Sequence, residues 1–328
     1  MSKIVRFLLV SGLYLWPLLL LGLPIADTAA AAGDIYIVDS RRDEPDANPG
    51  DGQCRTSFNR CTFRAAIDEA NAQIGPNEIH FNVRNNNGSC PSSAIIIEGE
   101  SQYFTDLADD KRGSYVITDD KLIIDGYTQC QAKANTEQVA GNAVIRIQIT
   151  PQGSNGYGLV LNANRNLIRG LSIYGWTRSV EFRDASHNTF SGNFVGMKAN
   201  GDDGNGSTGI RINYGSAHNT IGGPTPAERN ILSGNGFEAL DIQGAGVEQN
   251  HIINNYIGVK QNGTSKLSNN GDAVDIAEEA SSNWVGGILL DEFNRPILDG
   301  NGRYMADPNK RNIISGNAQD GIEISHNL

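Results

Sequence analysis

The sequence predicts an all-β fold, a parallel β-helix with a short capping helix near its N-terminus. A four-residue phrase of the pattern small, apolar, variable, apolar recurs through the second half, with asparagine-led apolar phrases between its copies. Glycine is frequent, with 38 residues, and aromatic residues make up 7% of the chain, which favours short strands and turns over a helical bundle. The phrase occurs as GLVL at residue 158, SVEF at 179, GIRI at 209, ALDI at 239, AVDI at 273 and GIEI at 321.

The first 32 residues have the features of a secretory signal peptide. Lys3 and Arg6 give a positive start, residues 7 to 25 are almost wholly apolar, and residues 28 to 32 (TAAAA) offer small side chains for cleavage. An uncleaved membrane anchor is the alternative, because the apolar run is long for a signal peptide. We favour cleavage and predict a secreted or cell-surface protein, with residues 33 to 328 as a single β-helix domain.

The exported chain is predicted to be acidic. The formal charge of −11 becomes −12 when Lys3, Arg6 and Asp27 leave with the signal peptide. Such a charge argues against nucleic acid and anionic membrane surfaces as partners. After cleavage we expect no membrane insertion.

Residues 33 to 92 are predicted to form an N-terminal cap, and residues 93 to 328 the coils. Thr62 can cap the start of a helix whose apolar residues have the spacing i, i+3, i+4 and i+7. One apolar stripe of this kind suits a helix that covers the open end of a β-helix. The stripe consists of Phe63, Ala66, Ile67 and Ala70.

Four cysteines in the first part of the chain point to two disulfides. An even number of cysteines in an exported protein is typical of disulfides, and four cysteines allow three pairings. We favour Cys54 with Cys61 and Cys90 with Cys130, because the first pair closes a short polar loop directly before the helix. Free thiols are the alternative.

The spacing of the recurring phrase predicts how the strands stack. Its variable residues are 21, 30, 30, 34 and 48 positions apart, which fits a coil of about twenty residues lengthened by loops. Strands this short cannot bury a face alone, so successive coils should stack about 4.8 Å apart in parallel pairing. Asparagines that recur at one position of the coil should form a ladder of side-chain hydrogen bonds. They include Asn166, Asn188, Asn219, Asn250 and Asn283.

Several segments resemble a known family. Cys54 and residues 61 to 71 (CTFRAAIDEAN) resemble the Cys-Ser-Leu-Arg-Glu-Ala-Ile signature of exported bacterial right-handed parallel β-helix proteins, and residues 124 to 129 and 166 to 173 resemble their next segments. Thr62, Phe63 and Ala65 depart from the signature. The resemblance covers about residues 33 to 328 and implies the right-handed fold and export. It implies little about activity, because these proteins are mostly surface or secreted proteins of unassigned activity.

The outward-facing residues of the recurring phrase form the candidate site. The variable position should point away from the core and line up from coil to coil. Its residues are Val160, Glu181, Arg211, Asp241, Asp275 and Glu323. Arg211 between Glu181 and Asp241 would make a ladder of opposite charges. Asp241, Asp275 and Glu323 would place three carboxylates about 5 Å apart, which costs free energy unless solvent, a base or a cation relieves it.

This row of acids allows more than one function. Calcium accepts several carboxylate oxygens, so Asp241, Asp275 and Glu323 are candidate calcium ligands that could bridge to an acidic polysaccharide. The alternative is three solvated surface acids, offset by Lys310 or Arg311. In an enzyme the same acids, with Arg211 as a basic neighbour, would be the catalytic candidates. Aromatic residues that could stack on sugar rings, if exposed, are Tyr174, Trp176, Tyr214 and Tyr256.

We expect a non-catalytic surface or extracellular protein that binds a polysaccharide or another cell-surface component. The rival hypothesis is a polysaccharide lyase, epimerase or hydrolase that uses the row of acids. An enzyme would need a basic side chain converging on the row, for example from the long loop at residues 288 to 311. The sequence also stops directly after a strand phrase, which suggests a missing C-terminal region or end-to-end association with a partner.

Overall fold

A computed structural model describes residues 33 to 73, 75 to 107, 112 to 153, 156 to 293 and 295 to 325. The predicted signal peptide, residues 1 to 32, lies outside the described residues. The described residues belong to one compact unit made of three sheets and one α-helix. No helix in this part of the chain is both long enough and apolar enough to cross a membrane.

The first sheet and the second sheet are purely parallel. Each adds one short strand per coil, because the chain visits the three sheets in turn before it returns to the first. In spatial order, the first sheet contains Ile35–Val38, Glu78–Phe81, Ile123–Asp125, Leu167–Arg169, Thr189–Ser191, Thr220–Gly222, His251–Ile253 and Trp284–Val285. The second contains Ile95–Glu100, Ile147–Gln152, Leu171–Ile173, Phe194–Val195, Ile231–Leu232, Tyr256–Ile257 and Ile313–Ile314.

The third sheet carries the recurring phrase. Its first strand pairs antiparallel with the second, and all later pairings are parallel. The strands are Thr105–Asp106, Arg112–Ile117, Tyr157–Leu161, Arg178–Arg183, Thr208–Asn213, Leu240–Gln243, Val274–Ala277 and Glu323–Ile324. The predicted fold class, a parallel β-helix, is confirmed.

The core is a set of apolar columns, one residue per coil. In the third sheet the inward residue of each strand lies in register with that of the next strand and is fully buried. Burial of one such aliphatic side chain contributes roughly 1.5 to 3 kcal/mol. Short strands of four to six residues are therefore stable only as a stack. This column consists of Leu159, Val180, Ile210, Leu240 and Val274.

The predicted asparagine ladder is confirmed at the turns between the third and first sheets. The side-chain Oδ1 of Asn219 accepts from both the backbone N–H and the Nδ2 of Asn188, at 2.9 and 3.0 Å. Asn219 in turn donates from both nitrogens to Oδ1 of Asn250, and Asn250 repeats the pattern with Asn283. The ladder satisfies backbone groups that bend out of the sheets inside a buried corner.

The N-terminal helix, Phe63–Ala72, begins where the sequence predicts. Thr62 is its N-cap, since the Thr62 hydroxyl accepts from the Ala65 N–H at 3.0 Å. The Phe63 ring is fully buried, with its centroid 5.6 Å from that of Phe81 and 4.8 Å from that of Tyr115. The helix therefore packs its apolar stripe against the first coil of the β-helix.

Both favoured disulfides are present. Cys54 bonds to Cys61 with 5.1 Å between Cα atoms, and Cys90 bonds to Cys130 with 6.0 Å. The first bond closes the loop directly before the helix. The second joins two segments 40 residues apart in the sequence.

Candidate functional site

The outward row of the third sheet has the predicted register. Arg211 is the Cα partner of Glu181 on one side and of Asp241 on the other, and Asp275 follows with Glu323 after it. Adjacent strands of a sheet lie about 4.8 Å apart, so these side chains are immediate neighbours. We call Glu181, Arg211, Asp241, Asp275 and Glu323 the charged row.

The alternative of three solvated acids is wrong for one of its three members. Asp241 is only 6% exposed, Asp275 is partly buried, and Glu323 is exposed. Glu181, two strands before Asp241 in the third sheet, is fully buried even though its side chain points away from the core column. An outward position on a β-helix is solvated only where no neighbouring side chain covers it, and here arginines cover the row.

Two arginines from the strand of Glu181 provide this cover. Glu181 Oε1 accepts from Arg178 Nη1 at 3.1 Å, from Arg183 Nη2 at 3.3 Å and from Asn213 Nδ2 at 2.9 Å. The guanidinium of Arg178 lies 4.5 Å from the ring centroid of Tyr157, and cation–π contact of this kind holds it over the row. Neither arginine was among the predicted site residues, although both flank the SVEF phrase directly as R-SVEF-R.

Arg211 pairs differently from the prediction. The expected ladder placed it between Glu181 and Asp241, but its Nε lies 3.3 Å from Asp241 Oδ2, and the described ion pairs of Glu181 are with Arg178 and Arg183. The donors to Glu181 come from Arg178, Arg183 and Asn213, while Arg211 lies close to the acid on its other side.

Among the described residues of the long loop and the turn after it, Arg295 and Lys310 are paired locally and not with the row. The loop's residues 288 to 306 form a ladder of isolated antiparallel bridges, and the Lys310 ammonium lies 3.2 Å from the Ile288 carbonyl and 3.4 Å from an Asp307 oxygen. The charge of Lys310 is therefore paired locally, and the offset of the acids by Lys310 or Arg311 stays a prediction. The converging basic groups come instead from the sheet itself, as Arg178, Arg183 and Arg211.

A groove of about 370 Å³ opens beside the charged row. Tyr214 stands at its edge with 51% of the residue's surface exposed, and its ring centroid lies 4.5 Å from the Arg183 guanidinium. The other candidate aromatic residues, Tyr174, Trp176 and Tyr256, are buried. We call this cavity the tyrosine groove; it is lined by Arg178, Arg211, Asn213, Tyr214, Gln243 and Glu278, with Gly244 and Ala245.

Four buried acceptor oxygens beside the groove have no hydrogen-bond partner among the described residues. They are Glu181 Oε2, Asn213 Oδ1, Asp241 Oδ1 and Asp275 Oδ1. Native proteins leave few such atoms. The Arg211 Nε in the same cluster also makes no hydrogen bond, so the geometry between the carboxylates and this guanidinium is loose.

Three acids of the row, Asp241, Asp275 and Glu323, have raised pKa values. Burial raises the pKa of Asp241 to about 6, with Arg211 opposing the shift and Glu238 and Asp275 adding to it. Burial, followed by the nearby Glu238, also raises the pKa of Asp275. A hydrogen bond with Asp272 is the main cause that raises the pKa of Glu323. At mildly acidic pH, Asp241 can therefore hold a proton that an ordinary aspartate would have lost.

Stability is expected to fall as pH rises from about 4 to 7, partly through Asp241. The pKa of Asp241 is higher in the folded state than in the unfolded state. Its contribution to the free energy of unfolding, about 3 kcal/mol, is therefore fully present below pH 3.8 and is lost as pH rises past 6. Asp241→Asn should flatten this part of the profile in urea unfolding at several pH values. Asp202→Asn, which changes an exposed carboxylate, serves as the control. An unchanged slope in Asp241→Asn would contradict the assignment.

The calcium hypothesis stays a prediction. In the described ranges, no group of three or more His, Cys, Asp or Glu side chains is arranged to hold a metal ion. Asp241 and Asp275 are neighbours with one unpartnered oxygen each, while Glu323 is at the exposed end of the row. Direct titration is the appropriate test for calcium at these three residues.

Comparison with known proteins gives a limited result. No family model matches the chain, and no curated protein matches it. Among solved structures, an alginate lyase from Paenibacillus sp. str. FPU-7 is similar over 77% of this chain and 90% of that chain, with 13% identity and a TM-score of 0.23. Similarity at this level does not extend to the residues of a site.

Proposed function

We propose that the chain is a non-catalytic glycan-binding protein that holds a saccharide in the tyrosine groove. One observation carries this proposal: the exposed ring of Tyr214 stands in the lining of a groove that also contains the side chains of Arg178, Arg211 and Gln243. A sugar offers an apolar ring face for the tyrosine and hydroxyl groups for the arginine and amide side chains. The groove's volume is in the range of small-ligand sites.

The electrostatics of the groove suit a polar ligand. Arg178 and Arg211 each have a carboxylate partner, in Glu181 and Asp241, so they present donor groups without a large net charge. Gln243 adds an amide to the lining. Residues in such a pattern can hydrogen-bond several hydroxyls of one saccharide while Tyr214 fixes the ring.

The disulfides support an extracellular setting for this function. Cys54–Cys61 and Cys90–Cys130 are bonds that form and persist in oxidising compartments. The predicted signal peptide at residues 1 to 32 agrees with this location. A secreted or surface-attached protein would meet polysaccharides there.

Acid–base catalysis at the charged row is the second candidate. The raised pKa of Asp241, beside Asp275 at one strand spacing, is what a retaining glycosidase requires of its acid and nucleophile. Against it, Asp241 is buried and bound to Arg211, whereas a catalytic acid must reach the glycosidic oxygen. Release of reducing sugar that is lost in Asp241→Asn would favour the enzyme over the binding protein.

Tyr214→Ala is expected to weaken saccharide binding at least tenfold. Calorimetric titration with neutral and acidic oligosaccharides measures the affinity, and Tyr304→Ala, which removes another exposed tyrosine, is the matched control. Titrations in EDTA and in calcium, repeated on Asp275→Ala, test the calcium hypothesis in the same experiment. The proposal is wrong if no oligosaccharide binds, or if both tyrosine variants lose affinity equally.

A further inference from the structure

A second and larger cavity lies at the N-terminal cap, away from the charged row. Its volume is about 1010 Å³, and it is bounded by the segment after the first strand, the loop before the helix and the segment around Arg84. We call it the arginine cavity; the charged and aromatic side chains that line it include Asp39, Arg41, Arg42, Phe58, Arg60 and Arg84.

The arginine cavity is positive although the chain is acidic. Four guanidinium groups face two carboxylates, Asp39 and Glu44, which leaves a local charge of +2 in a chain with a net charge of −11. Arg60 pairs with Asp39 at 3.1 Å and Arg42 with Glu44 at 3.2 Å. Within the described part of the chain, Arg41 and Arg84 have no carboxylate partner. Their charges are therefore available to an anion.

The cavity is held in shape by the first disulfide. Phe58 and Arg60 lie in the loop that Cys54–Cys61 closes, and the loop's backbone is braced by a 2.8 Å hydrogen bond from the Thr56 N–H to the Arg60 carbonyl. On the other wall, Arg84 Nε donates to Asn82 Oδ1 at 2.6 Å. A loop backbone fixed in this way loses little conformational entropy when a ligand binds.

An exposed aromatic ring accompanies the arginines. Phe58 is 64% exposed, and its ring centroid lies 5.9 Å from the Arg42 guanidinium. Arginine recognises carboxylate and sulfate groups through paired donors, while an exposed ring suits the apolar face of a sugar. A ligand with both features is an acidic saccharide.

We propose that the arginine cavity binds an acidic glycan, a polymer whose sugars carry carboxylate or sulfate groups. The site is separate from the tyrosine groove and does not depend on it. The strongly negative charge of the rest of the chain restricts such a polymer to this positive cavity, because elsewhere like charges repel it. The same repulsion disfavours a flat anionic membrane, which would approach much of the surface at once.

The test is calorimetric titration of the whole protein with three probes. Hexagalacturonate carries carboxylates, a heparin-derived hexasaccharide carries mainly sulfates, and cellohexaose is neutral. At about 50 mM salt we expect the first, the second or both to bind, and we expect affinity to fall with added salt. Their relative affinities distinguish carboxylate from sulfate as the preferred group.

Variants assign the binding to the cavity. Arg41→Glu with Arg84→Glu should weaken binding of the acidic probe at least tenfold, whereas Arg303→Glu, a charge reversal at one exposed arginine in the long loop, should not. Arg41→Gln with Arg84→Gln should act in the same direction with less change in net charge. Phe58→Ala should weaken the binding of the saccharide probes.

Three outcomes would overturn the inference. They are absence of binding by both acidic probes, an equal loss in Arg303→Glu, and a loss confined to Tyr214→Ala. The last result would place all binding in the tyrosine groove and leave the proposed function standing. Conversely, acidic binding that survives Tyr214→Ala and is lost in the arginine variants supports the cavity even if the groove binds nothing. The first of these outcomes, combined with binding to anionic lipid vesicles, would assign the arginine cavity to a membrane surface instead.

Discussion

Asn219→Ala is expected to destabilise the protein by about 3 to 5 kcal/mol, although it changes neither charge nor apolar area. The Asn219 side chain makes four hydrogen bonds: it accepts two from Asn188 and donates to the Ala185 carbonyl and to Asn250 Oδ1. Asn219 is fully buried, so no water replaces these partners. The variant leaves the Asn188 backbone N–H and the Ala185 carbonyl unpaired inside the corner.

Urea unfolding measures this loss as a lower midpoint with an unchanged dependence on denaturant. Asn162→Ala is the matched control, because Asn162 is exposed directly after the third-sheet strand Tyr157–Leu161 and its change should stay within about 0.5 kcal/mol. A loss below about 1 kcal/mol in Asn219→Ala would show that the ladder is dispensable and that the apolar columns alone hold the coils in register.

The ladder and the strand register were predictable from sequence for the same reason. A coil that repeats its backbone geometry must repeat the residue types that fit it, so NTI at Asn219 and NHI at Asn250 show the register directly. The alternation of strand side chains then fixes which residues face outward. This explains why the Arg211, Asp241 and Asp275 partners were correct without any structural information.

Burial on the outer face was not predictable in the same way. Alternation tells on which side of a strand a residue lies, but exposure depends on what lies over it. Arg178 is long enough to fold back over Glu181, and this contact is set by tertiary geometry that no repeat encodes. The same holds for Tyr214, whose exposure distinguishes it from the buried Trp176 although both lie near coil turns.

The cap illustrates an intermediate case. Thr62 and the apolar stripe after it were sufficient to place the helix, since N-cap chemistry and periodicity are local. The arginine cavity was not foreseen, because Arg41, Phe58 and Arg84 are far apart in sequence and only the disulfide-closed loop and the first coil bring them together. A count of arginines in the first 84 residues of an acidic chain was the available signal.

Glu181→Ala is expected to be the most disruptive change on the outer face, at about 3 to 5 kcal/mol. Its carboxylate is fully buried and accepts from Arg178, Arg183 and Asn213. Removal leaves mostly buried guanidinium groups without their shared acceptor, and an uncompensated charge costs more than the pair contributes. Thermal or urea unfolding should show the loss at pH 7.

The matched control is Glu323→Ala in the same row. Glu323 is exposed and lies beside Asp275 and near Asp272, which raise its pKa, so loss of its charge should leave stability unchanged or slightly higher. Glu181→Gln keeps a side chain of the same shape with one acceptor oxygen. Its stability should lie between the stabilities of Glu181→Ala and Glu323→Ala. If Glu181→Ala and Glu323→Ala behave alike, the arginines do not depend on Glu181, and the tyrosine groove would have to be held by Tyr157 and Tyr214 instead.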